Sequence, residues 1–396
     1  MNVVFISPQF PDTYWHWCDR LRKNGATVLG VGDTPYDNLA DDVRRSLDEY
    51  YWVSSLEDYD QVFRAVAYFS HKYGKIDWLE SNNEYWLSQD ARLRDDFHIT
   101  TGAGAKQMAL WQSKASMKSL YAAGGIPTAR QVRVEDPDTV RAFARDVGFP
   151  VFTKPERGVG AGGARKIVDE AALEELLAAD LGEPYVLEEY VDAELCSYEA
   201  IVDANGDPLF ENQSEFPPSI AETVELQLDV AYHTCPDVDP KLRTIGRATT
   251  KAFGIKSRFV HMEFFRLTDD KPGLGSKGDY VGLEVNVRAP GGYTPDMINF
   301  AHSVDVYQIW ADMVTKGTTS RAAGGDSYYC IYASRRDCHT YAHTHDEIMG
   351  RYGTIICMQG RMAEVLSDDL GNDFYMARTK TAEERDRFVD FVQQQA

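Results

Sequence analysis

The sequence predicts a mixed fold: an α/β unit with a parallel sheet at the N-terminus, α+β structure through the middle, and a small α+β region at the C-terminus. Three observations lead there. The first hundred residues alternate strand-like and helix-like segments, the order that builds a parallel sheet. A glycine-rich stretch, "FTKPERGVGAGGARKI" (152–167), lies between two strand-like segments. Two further β-segments, "RFVHMEFFRL" (258–267) and "DYVGLEVNVRAPGG" (279–292), carry acids and an amide at alternating positions.

The totals bound the function. A chain of 396 residues with 43% hydrophobic content, 22 tyrosines and 18 phenylalanines is long and apolar enough for two or three packed domains. A formal charge of −21 argues against nucleic acid or an anionic membrane as partner, because both demand basic patches. No apolar run reaches the roughly 18 residues of a spanning helix. "MNVVFISP" reads as a strand and lacks the basic start and long apolar stretch of a signal peptide, so a cytoplasmic location is expected. The six cysteines form no C-x-x-C, which indicates neither a disulfide framework nor a zinc knuckle. His339, His343 and His345 are spaced as metal ligands can be, but no cysteine or acidic ligand clusters with them, and they read as exposed loop histidines.

In order along the chain, "VVFIS" (3–7), a helix around 13–24 closed by Gly25, "TVLGVG" (27–32), a helix over Tyr59 to Tyr73 and "IDWLE" (76–80) make the N-terminal sheet unit. Its first turn, "SPQFP", has no glycine, so the dinucleotide fingerprint is missing where such a fold displays it. "SKASMKSLYAAGG" (113–125) predicts a short helix with Ser113 as N-cap and Met117, Leu120 and Tyr121 inward. Lys114 then sits at the first helical position, where its charge opposes the macrodipole; a nearby phosphate would remove the conflict, and a side chain reaching into water is the plain alternative. "EDPDTVRAFARDVGFP" (135–150) is the best-marked helix, with Asp136 as cap, Pro137 first, Val140, Phe143 and Val147 inward and Gly148 as terminator. It leads into the strand bearing Lys154. A helix over 169–181, the strand "YVLEEYV" (185–191) and a hairpin at Asn205-Gly206 follow.

The glycines at 158, 160 and 163 match G-x-G-x-x-G, yet the next helix starts only at Asp169, so the stretch is a hairpin and not a strand-to-helix phosphate turn. A Walker A loop would continue with Lys-Ser/Thr after Gly163 and this chain continues with Ala-Arg; no H-R-D or D-F-G accompanies a kinase-type loop. What remains is a glycine flap behind Lys154, able to lay backbone N–H groups on phosphates, with an exposed flexible hairpin as the alternative. In the second acid-bearing strand, alternation puts Glu284, Asn286 and Arg288 on one face and Leu283, Val285 and Val287 on the other. In the first, Glu263 shares a face with His261 and Phe265, and pairing the two strands can bring Glu263 beside Glu284. Two carboxylates and an amide oxygen are a hard oxygen set suited to Mg²⁺, with a solvated strand face as the alternative; Arg288 would point toward the same ion and its phosphates.

These pieces in this order resemble the ATP-grasp superfamily, which includes biotin carboxylase, the carbamoyl phosphate synthetase large subunit and the D-alanine and L-amino-acid ligases. The similarity runs from about Lys106 to Trp310. It implies a Rossmann-like parallel-sheet domain at 1–105, an ATP-grasp small subdomain with the flap at 106–190, a large subdomain with the metal site at 191–316, and a small α+β cap at 317–396, the two subdomains clasping ATP. It implies that Lys114 and Lys154 hold phosphates under a flap containing Gly158, Gly160, Gly162 and Gly163. Glu188, Glu189, Tyr190 and Val191 would receive adenine, and Glu263, Glu284 and Asn286 would hold Mg²⁺ (or Mn²⁺). Arg288 and Lys154 would act on the transferring phosphoryl group. Where the family often places a ribose-binding acid this chain has Leu195, which leaves Glu194 or Glu199 for that task. Tyr293 and Asp296 are weaker candidates for the amino substrate. The implied activity is ADP-forming ligation of a small-molecule carboxylate, activated as an acyl phosphate, to an amine, with no dedicated nucleophile. A homodimer fits the resemblance. The alternatives are a non-catalytic ATP sensor or partner module, and a bicarbonate-phosphorylating enzyme of the carboxylase or carbamoyl-phosphate type.

Overall fold

A computed structural model describes residues 1–157, 163–217, 228–320 and 325–396. In the N-terminal unit, strands β1 (Asn2–Ile6), β2 (Thr27–Gly32), β3 (Glu49–Trp52) and β4 (Trp78–Glu80) form a parallel sheet in the order β3-β2-β1-β4. Helices α1 (Trp15–Lys23), α2 (Asp41–Ser46), α3 (Tyr59–Tyr73) and α4 (Leu87–Asp96) accompany these strands. The near-continuous apolar run of β1, with Val3, Val4, Phe5 and Ile6 fully buried, is what a parallel strand covered on both faces requires.

Helices α5 (Ala105–Trp111) and α6 (Lys114–Ala123) lead into a second sheet of β5 (Gln131–Arg133), β6 (Val151–Pro155), β7 (Arg165–Ile167) and β8 (Tyr185–Glu189), ordered β5-β8-β6-β7 and antiparallel. Helices α7 (Pro137–Val147) and α8 (Glu170–Ala178) pack on it through Val140, Ala144, Leu173 and Leu176. Their starts follow the sequence grammar: the Asp136 carboxylate accepts from the Thr139 amide with Pro137 first, and Asp169 accepts from Ala172. Gly148 ends α7 at φ 79°, a left-handed value that glycine alone adopts readily.

The third sheet is the frame of the molecule. Strands β9 (Ala193–Val202), β10 (Pro208–Glu215), β11 (Ala231–Thr234), β12 (Arg258–Leu267), β13 (Tyr280–Asn286), β14 (Tyr329–Arg335), β15 (Ile356–Arg361) and β16 (Asp373–Thr379) run in the order β13-β12-β9-β10-β11-β14-β16-β15, every pair antiparallel. Helix α9 (Pro240–Ala252) packs on one face; α10 (Thr294–His302) and α11 (Val306–Lys316) lie on the other. The C-terminal region, expected as a separate small cap, contributes β14, β15 and β16 to this same sheet, with α12 (His345–Tyr352), α13 (Glu364–Leu370) and α14 (Ala382–Gln393) around them. Trp17 of α1 meets Trp310 of α11 at a ring separation of 5.2 Å, and Glu80 of β4 accepts from Arg258 of β12 at 3.0 Å, so the N-terminal unit is fixed to the large sheet by an aromatic contact and a buried ion pair. Among the described residues no helix is long and apolar enough to cross a membrane.

Candidate active site

The second and third sheets face each other across a cleft of about 1040 Å³. Its walls carry Lys154 and Glu188 to Val191 from the smaller sheet, and Glu263, Glu284, Asn286 and Arg288 from the larger. The flap glycines at 158, 160 and 162 lie outside the described residues. Gly163 is described: its φ of +73° is a left-handed backbone value that favours glycine.

The acid row forms by strand register. Glu263 pairs directly with Glu284, and His261 with Asn286. Between Phe264 and Glu263 the register slips by one residue opposite Leu283, a β-bulge that corrects the strict alternation expected from sequence: Leu283 lines the cleft beside Glu284 instead of sharing the far side with Val285 and Val287. Burial pushes the Glu284 carboxyl above its usual range and the charge of Glu263 adds to the effect. Burial acts on Glu263 in the same sense, but the hydrogen bond from His261 holds that carboxyl low. Paired carboxylates next to an amide oxygen, in a wall facing lysines, are a donor set that fits a hard divalent cation.

His261 belongs to a chain of buried polar groups. Its Nδ1 lies 2.9 Å from the Glu199 carboxylate and its Nε2 is 3.5 Å from Glu263. Glu199, fully buried, also accepts from the Ser197 hydroxyl and, at 2.7 Å, from the Asn212 amide, whose oxygen meets His302 Nε2 at 2.6 Å. Glu199 is thus consumed by structure and does not reach the cleft, which removes it as a ribose acid. Glu194 does line the cleft and is paired to Arg266, at 2.8 and 2.6 Å.

The lysines converge from the other side. Lys154 Nζ is 2.8 Å from Glu188 and Lys118 Nζ is 2.9 Å from the same carboxylate. Burial works to raise the Glu188 carboxyl, but the two ammonium groups overcome it and hold the pKa at about 2. Burial draws Lys118 below the usual lysine range, while for Lys154 the surrounding carboxylates outweigh burial and raise it. Lys114 begins α6 behind the Ser113 cap as the sequence suggests, yet it is buried, with Nζ 3.7 Å from Glu284, and does not extend into water. Ser113 and Arg133 both donate to Glu156 at the base of the flap, at 2.7 and 2.8 Å, which ties the start of α6 to β6.

Of the segment expected to receive adenine, Glu188, Glu189, Tyr190 and Val191 all line the cleft. The Glu189 carboxylate is taken by Arg130, from its backbone N–H and its Nε, both at 2.9 Å, and Lys271 donates to the Tyr190 carbonyl. Arg288 lines the cleft just past the acid row, with Nε 3.1 Å from Glu84 of the N-terminal unit. Tyr293 donates to Asp12 at 3.1 Å and Asp296 accepts from Tyr307 at 2.9 Å. The histidines of the C-terminal region have protein partners: His339 faces Asp229, His343 stacks on Phe391 and His345 meets Tyr375.

Sequence reasoning missed Lys118, Glu84 and the Glu199–His261 pair. Lys118 left a signal, since it lies four residues after Lys114 and so on the same helical face. Glu84 left none, because its meeting with Arg288 spans 204 residues of chain.

Residues 113–194 match the family described as carbamoyl-phosphate synthase L chain, ATP binding domain. A D-alanine–D-alanine ligase of Methylibium petroleiphilum is 32% identical over 98 residues, which is 23% of this chain and 31% of that one, so the chain spans about a third of this curated relative. An alanine–anticapsin ligase of Bacillus subtilis is 21% identical over 373 residues, covering 86% of this chain and 74% of the relative. Among solved structures, an L-amino acid ligase from Bacillus licheniformis superposes with a TM-score of 0.73 at 14% identity, over 98% of this chain and 95% of that one. At that identity the likeness establishes the fold.

Proposed function

We propose that this chain, which has the ATP-grasp fold, is an ATP-dependent ligase that activates a carboxylate as an acyl phosphate, releases ADP and joins the acyl group to an amine. The observation that carries the reading is the Glu263–Glu284 pair, set beside Asn286 across a cleft from Lys114 and Lys154. In this reading Glu263, Glu284 and Asn286 hold Mg²⁺ or Mn²⁺, whose charge offsets that of the triphosphate. Lys114 and Lys154 bind the phosphates, Gly158, Gly160, Gly162 and Gly163 close over them, and Glu188 to Val191 with Glu194 hold the nucleoside. Arg288 stabilises charge on the transferred phosphoryl oxygens, and Glu84 holds its guanidinium at the cleft wall until substrate arrives. The residues orient, neutralise and exclude water, and none of them attacks the substrate.

The domain limits at 105 and 190 belong to the same reading, as do a cytoplasmic location and a homodimer; light scattering tests the last. The decisive experiment offers Mg·ATP with paired carboxylates and amines and follows ADP release with mass detection of the product. Glu284→Gln and Arg288→Ala are each expected to abolish substrate-dependent ADP formation while leaving the circular dichroism spectrum intact. Near-normal turnover in both would refute the assignment. Nucleotide binding without ADP release for any pair would favour the sensor reading.

A further inference from the structure

Beyond the acid row the cleft changes character. Its far end is walled by Phe216, Val230, Tyr232, Pro290, Leu366 and Leu370. Phe216 stacks on Tyr232 with ring centroids 5.2 Å apart and planes at 17°. The tier continues inward through Tyr332, 5.1 Å from Tyr232, to Phe374, 5.5 Å further on. Tyr332 and Phe374 are buried and Tyr232 is bonded to Thr294 at 3.1 Å, so this wall is rigid. Against these rings, with the Tyr332 hydroxyl donating to the Leu370 carbonyl at 2.8 Å, pack Leu366 and Leu370 of α13. Arg336 fixes this helix by donating to the Ser367 and Asp368 carbonyls at 3.3 and 3.0 Å while its Nε donates to Leu228 at 2.7 Å. Phe216, Leu366 and Leu370 are only partly buried and turn apolar surface toward the cleft. Burying an apolar group against rigid apolar walls is favourable because it removes apolar surface from water.

The register gives the distance. Glu263 pairs with Ser197, Ser197 with Ser214 and Ser214 with Thr234, and Tyr232 lies on the same face two residues from Thr234. Three strand spacings of about 4.8 Å put the aromatic wall roughly 14 Å across the sheet from the acid row. The lining at that end suits an apolar side chain such as that of phenylalanine or leucine, and disfavours the carboxylate of aspartate, which would lose its water there.

We propose that this compartment receives an aromatic or branched aliphatic side chain of an amino-acid substrate. The inference deepens the ligase reading and rests on it. Its test measures kcat/KM for ADP release with L-phenylalanine, L-leucine, L-alanine and L-aspartate, singly and in pairs. The expected result is a preference of tenfold or more for phenylalanine or leucine. Leu366→Glu, on the exposed helix at the rim, should lower that preferred turnover at least tenfold more than it lowers turnover of L-alanine; Leu370→Glu replaces it should the first variant lose its circular dichroism. Preference for alanine or aspartate, or a variant that depresses all substrates equally, overturns the inference and leaves the ligase reading standing. Should no substrate release ADP, the ligase reading fails, and calorimetric titration of the same amino acids into protein with a non-hydrolysable Mg·ATP analogue decides the compartment. Phenylalanine binding tenfold tighter than alanine, and weakened by Leu366→Glu, sustains it; equal or absent binding overturns it.

Discussion

Replacing Glu188 by glutamine tests the electrostatic frame of the cleft. The Glu188 carboxylate is 2.8 Å from Lys154 and 2.9 Å from Lys118, and all three groups are largely removed from water. Its pKa falls from the usual 4.5 to about 2, which corresponds to about 3 kcal/mol of stabilisation. Since the folded value lies below the unfolded one, that contribution is complete above about pH 5 and is lost as the pH drops toward 2. Glu188→Gln keeps the shape of the side chain and removes the charge, leaving two buried ammonium groups without their direct partner, a change that costs about 3–5 kcal/mol. An anion delivered to the same place should restore much of this. Sodium triphosphate, which has the charge of the nucleotide and none of its base, is therefore expected to raise the melting temperature of the variant more than that of wild type. The assay is thermal and urea unfolding at pH 7.5, with and without triphosphate, and an acid titration in which the variant loses less stability than wild type below pH 5. A variant as stable as wild type without ligand, or equal triphosphate shifts in both proteins, would refute the reasoning.

Three further outcomes follow from other parts of the molecule. Asp90 is fully buried and pushed up to about 7 by that burial with help from Glu80, so its contribution to stability is complete below about pH 4 and declines as pH rises through 7; Asp90→Asn should flatten the decline and raise stability at pH 8 by about 2 kcal/mol in urea titrations, and an unchanged pH slope would count against it. Arg258→Met breaks the buried bridge to Glu80 that joins the N-terminal unit to the large sheet, and should destabilise the protein by about 3–5 kcal/mol in chemical denaturation; a loss under 1 kcal/mol would mean the bridge is dispensable. Glu199→Gln loosens the hold on His261 and through it Glu263, and should weaken Mn²⁺ binding at the proposed site, read by electron paramagnetic resonance, by roughly 10–100-fold; unchanged affinity would dissociate this chain of bonds from the proposed cation site.

Much of the site was legible because its residues sit on regular elements with short-range rules. Capping put Lys114 at the head of a helix, and strand alternation put Glu284, Asn286 and Arg288 on one face. The limit appears at Leu283, where alternation fails because a bulge depends on how two strands separated by 12 residues settle their register. It appears again at Lys114, where propensity could not choose between water and burial; the carboxylate of Glu284, reached only through folding, decides it. Glu199 looked available in the sequence, but the three partners that occupy it come from β9, β10 and β12.

The sequence by itself determined the order of helices and strands, the hairpin character of the glycine flap and the hard-oxygen chemistry of the acid row, since capping, periodicity and side-chain type act within a few residues. Only the tertiary structure decided that the C-terminal strands extend the large sheet, that Glu84 meets Arg288 and that an aromatic wall closes the far end of the cleft. Those contacts join segments tens to hundreds of residues apart, and their energies depend on burial and register that exist only once the chain has closed on itself.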